Sequence, residues 1–192
     1  MKISRLPGME RHETGIPGVY RLTLADYVDS RGTFSPAWVG ADLAAADLDA
    51  SIAQVNFARN PTAGTLRGLH FQTMPWSEVK IVQVLSGAIF DVVVDLRAES
   101  PTFKQALAFR LDAHTREALY LPKGLAHGYQ TLVPDTAVLY TVSAPYSPDH
   151  QGGIRWDDPE LSIQWPLEPT LLSEKDRDLP WLAAVQCYPG GE

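Results

Sequence analysis

Lys80-Ile-Val-Gln-Val-Leu-Ser-Gly-Ala-Ile-Phe-Asp-Val-Val-Val-Asp-Leu96 decides how the chain is read. Two short apolar runs rich in Val and Ile flank Ser86-Gly87. Each is too short for a buried helix and has the β-branched composition of a strand, and the Ser-Gly pair between them predicts a hairpin. The pattern continues outward. Ala106–Leu111, Ala118–Leu121, Tyr129–Val133 and Ala137–Val142 are further strand candidates, separated by turn residues at Ser100-Pro101, Asp112-Ala-His114, Pro122-Lys-Gly124 and Pro134-Asp135. Toward the N-terminus, Val19–Leu24 and Ser51–Phe57 read as strands, Asp29–Gly32 as a turn, Asp42–Leu48 as a short helix and Asn60–Gly64 as a loop. Many short strands at regular spacing, with 15 prolines, predict a mainly β sandwich or barrel with few helices.

Composition narrows the function. A chain of 192 residues with 45% hydrophobic and 20% charged residues is expected to form one domain, 1–192, with an irregular lead-in over 1–18 and a C-terminal tail over 168–192. Ser173 is placed to cap a short helix in that tail. The net charge of −7 argues against a general nucleic-acid binder but permits an anionic small ligand held by a few placed arginines. The lone cysteine, Cys187, allows no intrachain disulfide and no Cys-rich metal site. No apolar run has membrane-spanning length, and residues 1–18 lack the apolar core of a secretory leader, so the expectation is a cytoplasmic protein without a membrane partner.

Chemistry concentrates in Thr65-Leu-Arg-Gly-Leu-His-Phe-Gln72. Strict alternation along a strand puts Leu66, Gly68 and His70 on one face and Arg67, Leu69 and Phe71 on the other. Gly68 leaves room beside His70 for a ligand. His70 can act as a base near neutral pH or be a hydrogen-bonded core residue, and the stretch alone favours the core residue.

Pro122-Lys-Gly124-Leu-Ala-His127 resembles the second motif of the cupin superfamily, whose fold is a jelly roll, or double-stranded β-helix. The paired histidines of metal-binding cupins are missing: Gly68 stands two residues before His70 and Gln72 two after it. A metal assembled from His70, His127 and Glu78 or Asp91 is the rival reading.

A longer ordered set of segments is similar to the dTDP-4-dehydrorhamnose 3,5-epimerase family, a metal-free, cofactor-free branch of that fold. The set comprises Leu66–Gln72, Phe90–Arg97 with Ser100–Phe103, Leu121–Gly128, Leu139-Tyr140 with Tyr146-Ser-Pro148, Ile154–Pro159, Trp165-Pro166 and Leu172–Asp176. The resemblance implies an isomerase acting on a nucleotide-linked 4-keto-6-deoxy sugar through an enolate. It implies His70 as base, Tyr140 as the opposing acid, Lys80 beside the 4-keto oxygen and Asp176 as the carboxylate holding His70. By sequence alone, Asp176 belongs to a charged run that also fits a solvated helix face.

For the nucleotide sugar, the resemblance implies diphosphate contacts from Arg67 and Arg31, stacking by Tyr146, polar contacts from Gln54 and Asn56, and His127 lining the pocket. Arg31 would come from the partner subunit of a homodimer. Departures from the family flank the substrate: Pro36 stands where a Glu is usual after the turn arginine, and Met74-Pro-Trp-Ser-Glu-Val79 replaces a small polar lead-in to Lys80. Other readings are inversion at C3 alone, a different nucleotide, a 3,4-ketoisomerase, or a non-catalytic sugar-nucleotide-binding cupin.

Overall fold

The computed structural model describes the backbone of residues 3–6 and residues 8–188 in full. In chain order the strands are β1 (Ile3–Leu6), β2 (Met9–Glu13), β3 (Tyr20–Leu24), β4 (Tyr27–Asp29) and β5 (Gly32–Phe34). Helix α1 (Gly40–Ala45) is followed by β6 (Gln54–Asn60), β7 (Leu66–Gln72), β8 (Lys80–Ser86), β9 (Ala88–Asp95) and β10 (Ala106–Asp112). Then come β11 (Glu117–Leu121), β12 (Leu125–Thr131), β13 (Thr136–Val142), β14 (Gln151–Gly153) and the short helix α2 (Glu174–Arg177).

The strands form a seven-stranded antiparallel sheet, β1-β2-β3-β11-β8-β13-β6, facing a five-stranded one, β10-β9-β12-β7-β14. This is the mainly β sandwich expected from the strand rhythm, and the jelly roll that the cupin resemblance implies. Its apolar residues form three layers. Val82, Val84 and Val138 of the larger sheet meet Ile89, Val93, Leu111 and Leu125 of the smaller one between the sheets. The outer face of the larger sheet packs Ile81, Ala118 and Tyr120 against Met9, Leu22 and Leu43 of α1. The outer face of the smaller sheet packs Leu69, Val92, Val94 and Ala126 under Ile154, Leu161 and Leu182 of the C-terminal segment. Strand β12 is thus buried along its whole length, and each large apolar side chain so removed from water contributes roughly 1.5–3 kcal/mol.

Four expectations are corrected. Ser86-Gly87 does not close a hairpin: β8 pairs with β11 and β13, whereas β9 pairs with β10 and β12, so the chain crosses between sheets at Gly87. Gly87 has φ +76°, and a Cβ there would lie 2.3 Å from Thr136 Oγ1, so this crossing needs glycine. The lead-in is not irregular, since β1 and β2 pair with each other and β2 extends the sheet through β3. Helix α1 starts two residues earlier than expected and ends before Asp47, whose φ is +57°. Strand β6 begins at Gln54, not Ser51. In the tail, α2 starts after Ser173, whose hydroxyl accepts from the Asp176 N–H as the cap reading requires. The remaining tail residues 189–192 lie outside the described residues.

Candidate active site

Strand β7 does not alternate strictly. Its register with β12 runs His70 opposite His127 and Arg67 opposite Tyr129, so three steps along β7 match two along β12. The extra residue is a β-bulge, and it turns Arg67 and His70 toward the same face. Leu69, between them, stays in the outer core. The expectation that Arg67 and His70 lie on opposite faces is therefore corrected. Gly68 makes the bulge possible: its φ is +109°, and a Cβ there would come within 2.6 Å of the Gly128 Cα and 2.7 Å of the His127 carbonyl oxygen.

The face so formed lines a cleft of about 640 Å³ between the sheets, a size typical of small-ligand sites. From β7 it receives Arg67 and His70, and from β12 His127 and Tyr129. The facing sheet supplies Lys80 from β8, Tyr140 and Val142 from β13, and Gln54 and Asn56 from β6. Tyr146 stands at the rim, and α2 brings Lys175 and Asp176. Arg31 is not in this lining. It sits at the exposed turn between β4 and β5, held by Asp29 of its own turn.

His70 is fixed by Asp176. Its Nε2 lies 2.7 Å from Asp176 Oδ1, and Asp176 Oδ2 accepts from the Gly68 N–H at 3.3 Å. Asp176 is buried, not on a solvated helix face. Burial pushes its carboxyl up, but the His70 hydrogen bond and charge, with the Gly68 and Ser173 bonds, outweigh that and hold it below the ordinary carboxylate range. Because a carboxylate only accepts, Nε2 carries the proton and Nδ1 keeps a free lone pair.

Across the cleft, Tyr140 is half-buried. Burial raises its phenol above the ordinary tyrosine value; Arg67 opposes this and Glu78 reinforces it. Lys80 Nζ lies 2.8 Å from Glu78 Oε1, with both side chains largely shielded from solvent. Glu78 Oε2 in turn accepts from Gln72 Nε2 at 2.9 Å. His127 forms a second His–carboxylate pair, with Nε2 2.8 Å from Asp91 Oδ2. Asp91 is fully buried, and its Oδ1 has no hydrogen-bond partner among the described residues. Burial pushes this carboxyl up, and the charge and hydrogen bond of His127 and the charge of Lys80 only partly offset it.

The rival metal set is dispersed. His70 faces Asp176, His127 faces Asp91 and Glu78 faces Lys80. Among the described residues, no group of three His, Cys, Asp or Glu side chains is arranged to hold a metal ion.

Sequence reading did not single out Gln72, Tyr129, Gln151 or Lys175 as site residues. Gln72 is buried and clamps two loops: its amide donates to the Trp76 and Pro145 carbonyls, and its oxygen accepts from the Ser147 N–H. A polar residue inside a strand, two positions after His70, was the available signal. At the rim, Gln151 Oε1 accepts from Tyr146 Oη at 2.8 Å and also from Lys175 Nζ. The sequence holds no local signal for that meeting, since the three residues come from separate segments.

A model of the dTDP-4-dehydrorhamnose 3,5-epimerase family matches residues 13–184. A dTDP-4-dehydrorhamnose 3,5-epimerase of Sinorhizobium fredii is 42% identical over 162 residues, covering 82% of this chain and 81% of the relative. Among solved structures, the dTDP-4-dehydrorhamnose 3,5-epimerase of Bacillus anthracis, with TDP and pyrophosphate bound, superposes with a TM-score of 0.88 at 44% identity, covering 91% of this chain and 99% of that one. A dTDP-6-deoxy-D-glucose-3,5-epimerase of Legionella pneumophila, in complex with dTDP-4-keto-L-rhamnose, superposes with a TM-score of 0.90 at 32% identity, covering 96% of this chain and all of that one (100%).

Proposed function

The chain belongs to the dTDP-4-dehydrorhamnose 3,5-epimerase family and is an epimerase, and from that premise we propose that it inverts C3 and C5 of dTDP-4-dehydro-6-deoxyglucose to give dTDP-4-dehydrorhamnose. The observation that carries the assignment of roles is that His70 and Tyr140 reach one cleft from opposite sheets. Epimerisation needs a proton removed on one face of a carbon and returned on the other, so it needs two groups that face each other across the substrate.

His70 Nδ1 takes the proton from the carbon next to the C4 carbonyl. The C–H electron pair becomes a carbon–carbon double bond, and the carbonyl π pair moves to the oxygen, giving an enolate. The imidazolium so formed is stabilised by Asp176 at 2.7 Å. Lys80 faces the developing oxyanion, a kind of contact that commonly contributes about 3–4 kcal/mol to the transition state. Tyr140, kept protonated by its raised pKa, returns a proton to the opposite face. Water then takes the proton from the imidazolium and returns one to the Tyr140 phenolate, and repeating the cycle at the second carbon inverts both centres.

The diphosphate is assigned to Arg67, whose planar fork suits phosphate oxygens. Tyr146 at the rim stacks on the nucleotide base, Gln54 and Asn56 bond the substrate, and His127 lines the sugar end. A homodimer belongs to the same reading. Its support is that Arg31 lies outside the lining of its own cleft, on a hairpin whose Tyr27, Val28 and Phe34 are all exposed. The outer face of β6 adds Val55 and Phe57, 55% and 61% exposed, apolar residues on the side of the strand away from the cleft. A cytoplasmic enzyme acting on a small nucleotide sugar, with no nucleic-acid partner, completes the proposal; no helix among the described residues is long and apolar enough to cross a membrane.

The test is incubation with dTDP-4-dehydro-6-deoxyglucose, reading the sugar-ring configuration by NMR. Inversion at C3 and C5 is the expected result. Inversion at C3 alone replaces the proposal with a monoepimerase, and a sugar that binds but is returned unchanged replaces it with a binding protein.

A further inference from the structure

We propose that Asn60 is a positioning residue that aims Arg67 into the cleft while leaving its charge uncompensated. The proposal rests on the reading above only for the identity of the anion, a nucleoside diphosphate.

Asn60 ends β6 and is 1% exposed. Its amide nitrogen donates to the Thr136 carbonyl at 3.2 Å and to Tyr129 Oη at 3.4 Å. Those two acceptors fix which way the amide faces, so Oδ1 is presented to Arg67 and accepts from its Nε at 2.9 Å. Thr136 and Tyr129 lie in different sheets, so the amide is anchored to both walls of the cleft. With Nε engaged, the two terminal guanidinium nitrogens of Arg67 remain for a ligand, in the fork that pairs with two phosphate oxygens.

The choice of a neutral acceptor matters. Arg21 faces Glu117, Arg97 faces Asp95 and Arg155 faces Asp157, each a carboxylate that cancels the charge it orients. Arg67 has no ion pair among the described residues, and its charge reaches across the cleft far enough to act on Tyr140. An amide supplies direction without neutralisation. A carboxylate at position 60 would supply direction and remove most of the attraction for an incoming anion.

The test measures binding of dTDP and of inorganic pyrophosphate by calorimetry to wild type, Asn60→Asp, Asn60→Ala, Arg67→Ala and the Asn60→Ala/Arg67→Ala double variant, with thermal melts to confirm folding. Asn60→Asp is expected to weaken both ligands by about tenfold or more, and Asn60→Ala by about three- to tenfold. In the Arg67→Ala background, Asn60→Ala is expected to change neither affinity, because it acts through the missing guanidinium. In turnover, KM rises more than kcat falls. Equal losses from Asn60→Ala in both backgrounds, or wild-type affinity in Asn60→Asp, overturns the proposal, as does a wild-type protein that binds neither ligand. Wild-type binding of pyrophosphate without dTDP would instead count against the nucleotide reading, and the pyrophosphate series would still decide the role of Asn60.

Discussion

Asp176 and His70 are 106 residues apart in sequence and 2.7 Å apart in space. The contact is made by a single turn of helix, capped by Ser173, that lays one carboxylate against the bulged strand. One oxygen holds the imidazole and the other holds the Gly68 N–H, so the same side chain orients the base and the backbone that carries it. Asp176→Asn keeps the size but can present an N–H to His70 Nε2, which then has to lose its proton and place it on Nδ1. We expect kcat to fall on the order of 10²–10⁴-fold with substrate affinity little changed. Steady-state kinetics of the purified variant check this.

The same carboxylate links stability to acid. Its folded pKa lies below the ordinary value, so the unfolded chain takes up the proton first as pH falls. The stabilisation is therefore fully present above about pH 4 and is lost as pH drops through the folded value. Thermal melts of wild type and Asp176→Asn should differ above about pH 4, and the gap should close as pH falls below that. A gap that persisted undiminished well below about pH 4 would contradict the assignment.

Tyr140 carries the opposite signature. Burial raises its phenol, Arg67 pulls it down and Glu78 pushes it up, with a net rise. The difference ultraviolet titration between wild type and Tyr140→Phe should place this ionisation above about pH 10. Arg67→Ala should move it higher still, because the opposing charge is gone.

Gly68 should tolerate no side chain. Alanine there meets the Gly128 Cα and the His127 carbonyl, both backbone, and keeps φ at +109°. Neither neighbour can swing aside, so Gly68→Ala is expected to cost at least about 2 kcal/mol or to open the β7–β12 pairing. Denaturant unfolding measures the loss, and activity should fall with it because Arg67 and His70 both depend on the bulge.

The parts of the fold written in local pattern were legible. On β13, Val138 is in the core while Tyr140 and Val142 line the cleft, the two-residue period that a strand imposes on its sequence. What failed was non-local. Ser86-Gly87 suits a hairpin and a crossing between sheets equally well, and only the partners chosen by β8 and β9 decide between them. Met9–Glu13 reads as polar lead-in because Met9 is its one buried side chain, the rest covering the rim of a sheet. The β7 bulge depends on the close approach of Gly68 to Gly128, which no spacing within Leu66–Gln72 records. Arg67, His70, Lys80 and Tyr140 were recognisable by resemblance to a family, whereas Gln72, Asn60 and Lys175 take their place in the site through contacts across separate segments.

The central claim is that His70 and Tyr140 work on opposite faces of one enolate. The most direct measurement follows deuterium entry at C3 and C5 of dTDP-4-dehydro-6-deoxyglucose in D2O by NMR, for wild type, His70→Ala and Tyr140→Phe. Wild type should incorporate deuterium at both carbons with inversion, and His70→Ala should do neither. Tyr140→Phe should still exchange but with inversion strongly slowed, since the base remains and the opposing acid is gone. Exchange that survives in His70→Ala, or inversion at the wild-type rate in Tyr140→Phe, would contradict the account.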